Sequence, residues 1–263
     1  MNEQYYEENL SEVKKYSNVD SVDQWKAIVM FLIGIIGLSL IFTIVWNIFD
    51  IFFELDSKVD IDKVYRFNAY SQCITYAIGT ISVFAIIGYP TLKLVFSKIK
   101  NVDVYVKGIT YGFILLFAQS IYSIISGLLF GQVDSNANQE ALVQLTKQSP
   151  IILFLMTVVL APIFEEIVYR YSLFGLIHKR NRYLAYLICL VIFGFIHFDF
   201  SCFSSTEPDA IKVELLNLPA YLLSGGILCY AYEKEDSLIS SIVAHTTNNL
   251  IAFIQIIALF FNA

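Results

Sequence analysis

Residues 161–170 read APIFEEIVYR, two adjacent carboxylates and a guanidinium inside an apolar run that extends from Pro150 to Ile177. A charge at the centre of a bilayer costs at least about 2.5–3.5 kcal/mol even on the mildest insertion scale. Three such groups in one span therefore have to pair with each other or face protein and water. On an α-helix Glu166 and Arg170 are four residues apart and share a face, whereas Glu165 is rotated by about 100° from Glu166. The simplest electrostatic solution is a fixed Glu166–Arg170 ion pair, which leaves Glu165 without a partner on its own helix and available to exchange a proton. Pro162, three residues ahead of Glu165, has no N–H to donate and predicts a kink or a widened turn. Such breaks are tolerated in membrane helices where protein or a wet cavity surrounds the backbone.

The rest of the chain supports the membrane setting. Of 263 residues, 57% are hydrophobic, 16% aromatic and only 15% charged, the composition of a polytopic membrane protein. The net charge of −6 provides no basic field for nucleic acid, so no nucleic-acid partner is expected. Apolar runs long enough to span a bilayer, about 20 residues, cover Ala27–Phe49, Phe67–Leu92, Gly108–Val133, Pro150–Ile177, Leu215–Tyr232 and Ser237–Ala263. A shorter run, Tyr183–Phe198, should end in headgroups or in a water-filled cavity, and its end carries His197 and Asp199. The expected fold is thus an all-α, polytopic membrane helix bundle of seven spans, or eight if the second run breaks at Pro90.

Three regions are distinguished: a polar N-terminal segment over 1–23, N-terminal transmembrane helices over 24–149 and a C-terminal core over 150–263, together forming one membrane domain. The first segment is too long and too acidic for the n-region of a secretory signal, so the first span reads as a retained anchor. Residues 134–150 have a small apolar face and predict an interfacial helix before the fourth span. With the N-terminus inside, eleven Lys and Arg fall in inside segments and five in outside ones, which supports a cytoplasmic N-terminus in a multi-pass protein of the cell membrane. Cys73, Cys189, Cys202 and Cys229 have no CxxC spacing and read as packing residues. His178, beside Lys179 and Arg180, reads as a solvated loop residue.

Later spans bring further polar groups inward, while the first three bring almost none. FGFIH places His197 one turn after Phe193, and HTTNN places His245 and Asn249 on one helical face. Counted at about 1.5 Å per residue, Glu165 and His197 lie roughly 20 Å from the inner ends of their helices and His245 roughly 12 Å, so tilted helices could bring them together. Each group also has a plain structural reading. A single histidine can be a packed hydrogen-bonding residue, Asn249 can join two helices, and Glu166 with Arg170 can be an assembly lock.

The three motifs together, E-E-x-x-x-R, F-x-x-x-H and H-x-x-x-N, occur in this order over about residues 150–263 and resemble the CAAX protease and bacteriocin-processing family (CPBP, or Abi) of intramembrane proteases. What the resemblance implies is an intramembrane endopeptidase similar to the type II CAAX prenyl endopeptidases. Carried over by motif, Glu165 would activate a water, His197 would orient or protonate, and His245 with Asn249 would stabilise the oxyanion. Glu166, Arg170 and Phe193 would support the site. The expected partners are the lipid bilayer and a membrane-bound peptide or protein substrate, with pheromone or bacteriocin processing, self-immunity or regulation of a membrane protein as the roles implied by analogy. No cofactor is expected, although Glu165, His197 and His245 would also suffice for a catalytic zinc. Two rivals stay open: a non-catalytic scaffold or immunity protein that binds a membrane partner, and a proton-coupled transporter, which would use buried Glu, Arg and His as a relay.

Overall fold

The computed structural model describes residues 19, 21–131 and 134–261. Among them there is no β-strand. Most of the polar segment expected over 1–23 lies outside the described residues. The chain runs through α1 (Gln24–Phe53), α2 (Ile61–Ile87), the short α3 (Tyr89–Val95), α4 (Val102–Phe130), α5 (Ala137–Gln148), α6 (Pro150–His178), α7 (Arg182–Phe195), α8 (Ala210–Glu235) and α9 (Leu238–Phe261). Six of these, α1, α2, α4, α6, α8 and α9, are long and apolar enough to cross a membrane. With the shorter apolar α7 they make an all-α polytopic bundle.

The proline in the second run does break it, without adding a span. Gly88 adopts φ 78° and ψ 154°, a conformation that costs a residue with a Cβ, and ends α2. Pro90 then sits in the first turn of α3, where its missing N–H leaves no bond unmade. Seven residues at 1.5 Å each are far too few to recross a bilayer.

Contacts sort the helix ends as seven alternating spans require. At one end Lys26 Nζ donates to Ile87 O (2.9 Å), Lys98 Nζ to Glu235 O (2.7 Å), and Lys107 pairs with Glu235 (2.8 Å). His178 belongs to this end, and it is not a solvated loop residue. It closes α6 with Nε2 2.9 Å from Glu233 Oε1, a carboxylate that also binds Arg182 and Tyr186. At the opposite end Gln148 donates to Asp62 (2.7 Å) and Asn217 to Asp134 O (3.0 Å).

The helix bearing the charges lies at the centre. In its most apolar window 56% of α6 is buried, against 6% of α1, whose Ile36, Leu40, Ile44 and Ile51 face outward with α4's Phe117 and Leu128 as a lipid-facing belt. Lipid is as apolar as leucine, so close backbone approach has to supply the packing. On α4, Gly108 and Gly112 lie so near α9 that added Cβ atoms would stand 2.8 Å from Ser240 O and 2.6 Å from Thr247 Cβ. The core is continuous across residue 150, uniting Met30, Val83 and Leu115 with Phe164, Phe193 and Leu228.

Candidate active site

The α6 helix is not uniform. Leu155–Leu160 and Glu166–Phe174 are wound as π-helix, on either side of a five-residue α-helical piece, Ala161–Glu165. Widened turns of this kind recur at functional sites. Pro162 gives the first one a local reason: it has no N–H for the carbonyl five residues back, Thr157 O. That carbonyl accepts instead from Asn249 Nδ2 of α9 at 2.9 Å. The widening inferred from the proline and the polar residue inferred on the last span are therefore parts of one join.

The second widened turn carries the charges. Arg170 and Glu166 are completely buried, and Nη1 lies 3.0 Å from Oε1. Arg170 also reaches Gly225 O of α8 (3.4 Å), and its guanidinium lies 4.3 Å from the Phe193 ring centroid, a cation–π position that replaces lost hydration. The same Glu166 oxygen faces His245 Nδ1 at 2.9 Å. A carboxylate accepts, so Nδ1–H donates and Nε2 of the neutral ring becomes the lone-pair nitrogen. Nε2 lies 3.9 Å from Glu165 Oε2.

Glu165 has a partner that the sequence did not single out. Tyr76 of α2 donates its hydroxyl to Glu165 Oε1 at 2.9 Å and packs edge-on against Phe164. Spans two and three thus do bring polar groups inward, contrary to the expectation: Gln72 and Tyr76 from α2 and Gln119 from α4 line the same cavity as Glu165. The signal lay in FNAYSQCITY, where Asn68, Gln72 and Tyr76 recur every four residues inside an apolar run.

His197 lies just beyond the end of α7, whose 14 residues span about 21 Å and stop short of the roughly 30 Å hydrocarbon core. Its ring stacks on Tyr221 (4.6 Å, 14°) and lies 4.9 Å from Phe193. Its Nδ1 is 2.9 Å from Phe193 O, which as a carbonyl can only accept, so here too Nε2 of the neutral ring carries the lone pair. The turn beyond is held by Glu214, a buried carboxylate of α8 that accepts from Ala137 N (3.0 Å) and Asp199 N (3.2 Å). Asp199 itself accepts from Ser201 N and Oγ, bonds that hold its carboxyl below the usual carboxylate range. Asn136, the N-cap of α5, donates to His197 O at 3.5 Å. The helix expected over 134–150 is therefore a roof over the cavity as well as an approach to α6.

One cavity of about 410 Å³ collects Glu165, Phe193, His197, His245 and Asn249, with Tyr76 and Tyr221. Glu166 and Arg170 stand behind His245. Two imidazole Nε2 lone pairs and a carboxylate suit zinc chemically. Among the described residues, however, no three His, Cys, Asp or Glu side chains converge closely enough to hold a metal ion.

Residues 147–251, which contain Glu165, Glu166, Arg170, Phe193, His197, His245 and Asn249 but not the cavity groups of α2, α4 and α5, match the family described as type II CAAX prenyl endopeptidase Rce1-like. Over that stretch the chain resembles the Rce1-like CAAX proteases. The chain is 37% identical over 89 residues to UPF0177 protein YvdC of Lactococcus lactis, covering 34% of each chain. It is 29% identical over 144 residues to the putative membrane peptidase YdiL of Bacillus subtilis, covering 54% of this chain and 52% of that one. It is 26% identical over 143 residues to the membrane-embedded CAAX protease MroQ of Staphylococcus aureus, covering 52% and 51%. The chain thus spans about a third to a half of the length of these curated relatives. No solved structure matches it.

Proposed function

We propose that this chain is a membrane-embedded endopeptidase in which Glu165 activates water against a peptide carbonyl. The observation that carries the proposal is the pairing of Glu165 with His245 across 3.9 Å inside a polar cavity, with Arg170 and Glu166 fixing the His245 tautomer from behind. A water between Glu165 Oε2 and His245 Nε2 is within hydrogen-bond reach of both, because two bonds of about 2.8 Å meeting at an angle bridge that gap. As the water oxygen attacks the carbonyl carbon, its proton passes to Glu165. The C–N bond then breaks and the leaving amine takes that proton, directly or through Nε2 of His197. Asn249 commits one amide hydrogen to Thr157 O and keeps the other for the oxyanion. Tyr76 holds Glu165 in place.

The mechanism is metal-free and glutamic, in a multi-pass protein of the cell membrane with the N-terminus and the basic helix ends on the cytoplasmic side. Its substrate is a membrane-associated peptide or protein, with a peptide precursor or membrane regulator as the choice by analogy with the family that the motifs resemble. The test compares new protein termini in membranes from cells carrying the chain or Glu165→Ala at matched levels. Termini that vanish in Glu165→Ala, and that persist when the wild type is treated with chelator, are the expected result. Termini that remain in Glu165→Ala reject the mechanism, and an intact phenotype with no Glu165-dependent terminus transfers the function to a binding scaffold.

A further inference from the structure

The two cavity histidines are held by different means. His245 has a carboxylate behind it, Glu166 at 2.9 Å, and meets Phe193 nearly edge-on at 5.9 Å and 73°. His197 makes no ion pair among the described residues, and its ring makes one hydrogen bond, from Nδ1 to Phe193 O at 2.9 Å. A single bond pins one point of the ring and leaves its plane free to rock about that point. The plane is set by Tyr221 of α8, whose ring centroid lies 4.6 Å from that of the imidazole and whose plane is within 14° of parallel. Phe193 meets the same imidazole at 4.9 Å but tilted by 48°. Tyr221 is itself fixed from a third element. Its hydroxyl accepts from Asn138 Nδ2 (3.2 Å) and donates to Asn136 Oδ1 (3.4 Å) at the start of α5. Asn136 Oδ1 also accepts from Gln139 N (3.1 Å), and its amide donates to His197 O (3.5 Å), so one connected set holds both the backbone and the ring of His197.

We propose that Tyr221 is the positioning residue of His197, clamping the imidazole by its face with Nε2 left free and steadying the ring while it carries a proton to the leaving amine. It touches no reacting atom and acts through the histidine. A protonated imidazole within about 6 Å of a phenol ring centroid gains a cation–π attraction that the neutral ring lacks, worth about two- to thirtyfold in the population of the charged ring. Tyr221 thus does for His197 with a π face what Glu166 does for His245 with a charge, and without the cost of burying a second carboxylate. The clamp follows from the geometry of the two rings, whereas the proton-carrying role deepens the endopeptidase reading and rests on it.

The test uses the full-length protein in detergent and follows its three histidines by carbethoxylation with diethyl pyrocarbonate, which modifies the unprotonated imidazole nitrogen, read by peptide mass spectrometry. His178, at the opposite end of the bundle, is the internal reference. Tyr221→Leu should speed modification of His197 relative to His178 by about threefold or more, while Tyr221→Phe, which keeps the ring, should stay within about twofold of wild type. On a peptide bearing a Glu165-dependent cleavage site, Tyr221→Leu should lower kcat about two- to thirtyfold with KM little changed, and Tyr221→Phe should restore most of it. A merely structural tyrosine would instead lower the melting temperature and leave the His197 rate and the kcat of the folded protein as they are. Tyr221→Met is the second variant if Tyr221→Leu does not fold. An unchanged His197 rate in the aliphatic variant, equal losses in Tyr221→Phe and Tyr221→Leu, or an unchanged kcat in a chain that does cleave overturns the proposal. A faster His197 in a chain that yields no Glu165-dependent terminus keeps the clamp and overturns the endopeptidase reading instead.

Discussion

Replacing Glu166 by glutamine removes one charge from a site where nothing can take its place. Arg170 is completely buried, and apart from Glu166 it meets Gly225 O at 3.4 Å, the face of Phe193 at 4.3 Å and the Cys229 side chain, none of them a carboxylate. Truncating one member of a buried ion pair leaves the other uncompensated and costs about 3–5 kcal/mol. At roughly 2–4 °C per kcal/mol for a chain of this size, Glu166→Gln should melt roughly 6–20 °C below the wild type in detergent. The double variant Glu166→Gln/Arg170→Met removes both charges, and because buried pairs replaced by apolar groups are often neutral, most of that loss should return. Activity should not return with it. His245 Nδ1 faces Glu166 Oε1 at 2.9 Å, and a glutamine can turn either end of its amide to the ring, so the tautomer that leaves Nε2 bare is no longer enforced. Thermal melts of the four proteins of the cycle, with cleavage measured on each, separate the two roles. A Glu166→Gln protein that melts with the wild type, or a double variant that is both stable and fully active, refutes the account of this triad.

The geometry sets three further outcomes. Tyr76→Phe removes a hydrogen bond to the Glu165 carboxylate, a charged contact worth about 1.5–3 kcal/mol, so kcat should fall by about ten- to a hundredfold with KM little changed, whereas a merely structural Tyr76 would lower stability and leave the kcat of the folded protein intact. Glu214→Ala leaves Ala137 N and Asp199 N without their acceptor at about 1–3 kcal/mol for each group, and limited proteolysis should then cut faster around residues 131–137 and 197–209; an unchanged cleavage pattern would show that the roof has other anchors. Gly112→Val places a Cβ 2.6 Å from that of Thr247, and overpacking of about 1–3 kcal/mol should show as a lower melting temperature, with Gly127→Ala, where no atom lies within 4 Å, as the variant that stays near wild type.

Several features of the site are legible along the chain because they depend on neighbours in sequence. The Glu166–Arg170 pair comes from a four-residue spacing, the widened turn from Pro162, and the early end of α7 from the length of its apolar run. Other features escape because they depend on partners far apart in the chain. Tyr76 reaches Glu165 across 89 positions and Asn249 reaches Thr157 across 92, and neither link has a local signature. His178 reads as a loop residue for the same reason, since its partner Glu233 lies 55 residues away on a helix that only packing brings alongside.

By itself the sequence determined that the chain is a bundle of apolar helices, and that the fourth span carries charges which have to be paired or wet, since hydrocarbon offers nothing else to satisfy them. Tertiary structure alone decided which groups from other helices meet each carboxylate. Spacing on α6 distinguishes Glu165 from Glu166 by a rotation of about 100°. Only the packing of α9 and α2 places His245 against both carboxylates, orients its ring with Glu166 and gives Glu165 the Tyr76 hydroxyl. Electrostatic energy depends on distance through space, and that distance is fixed where helices cross and not where residues adjoin in the chain.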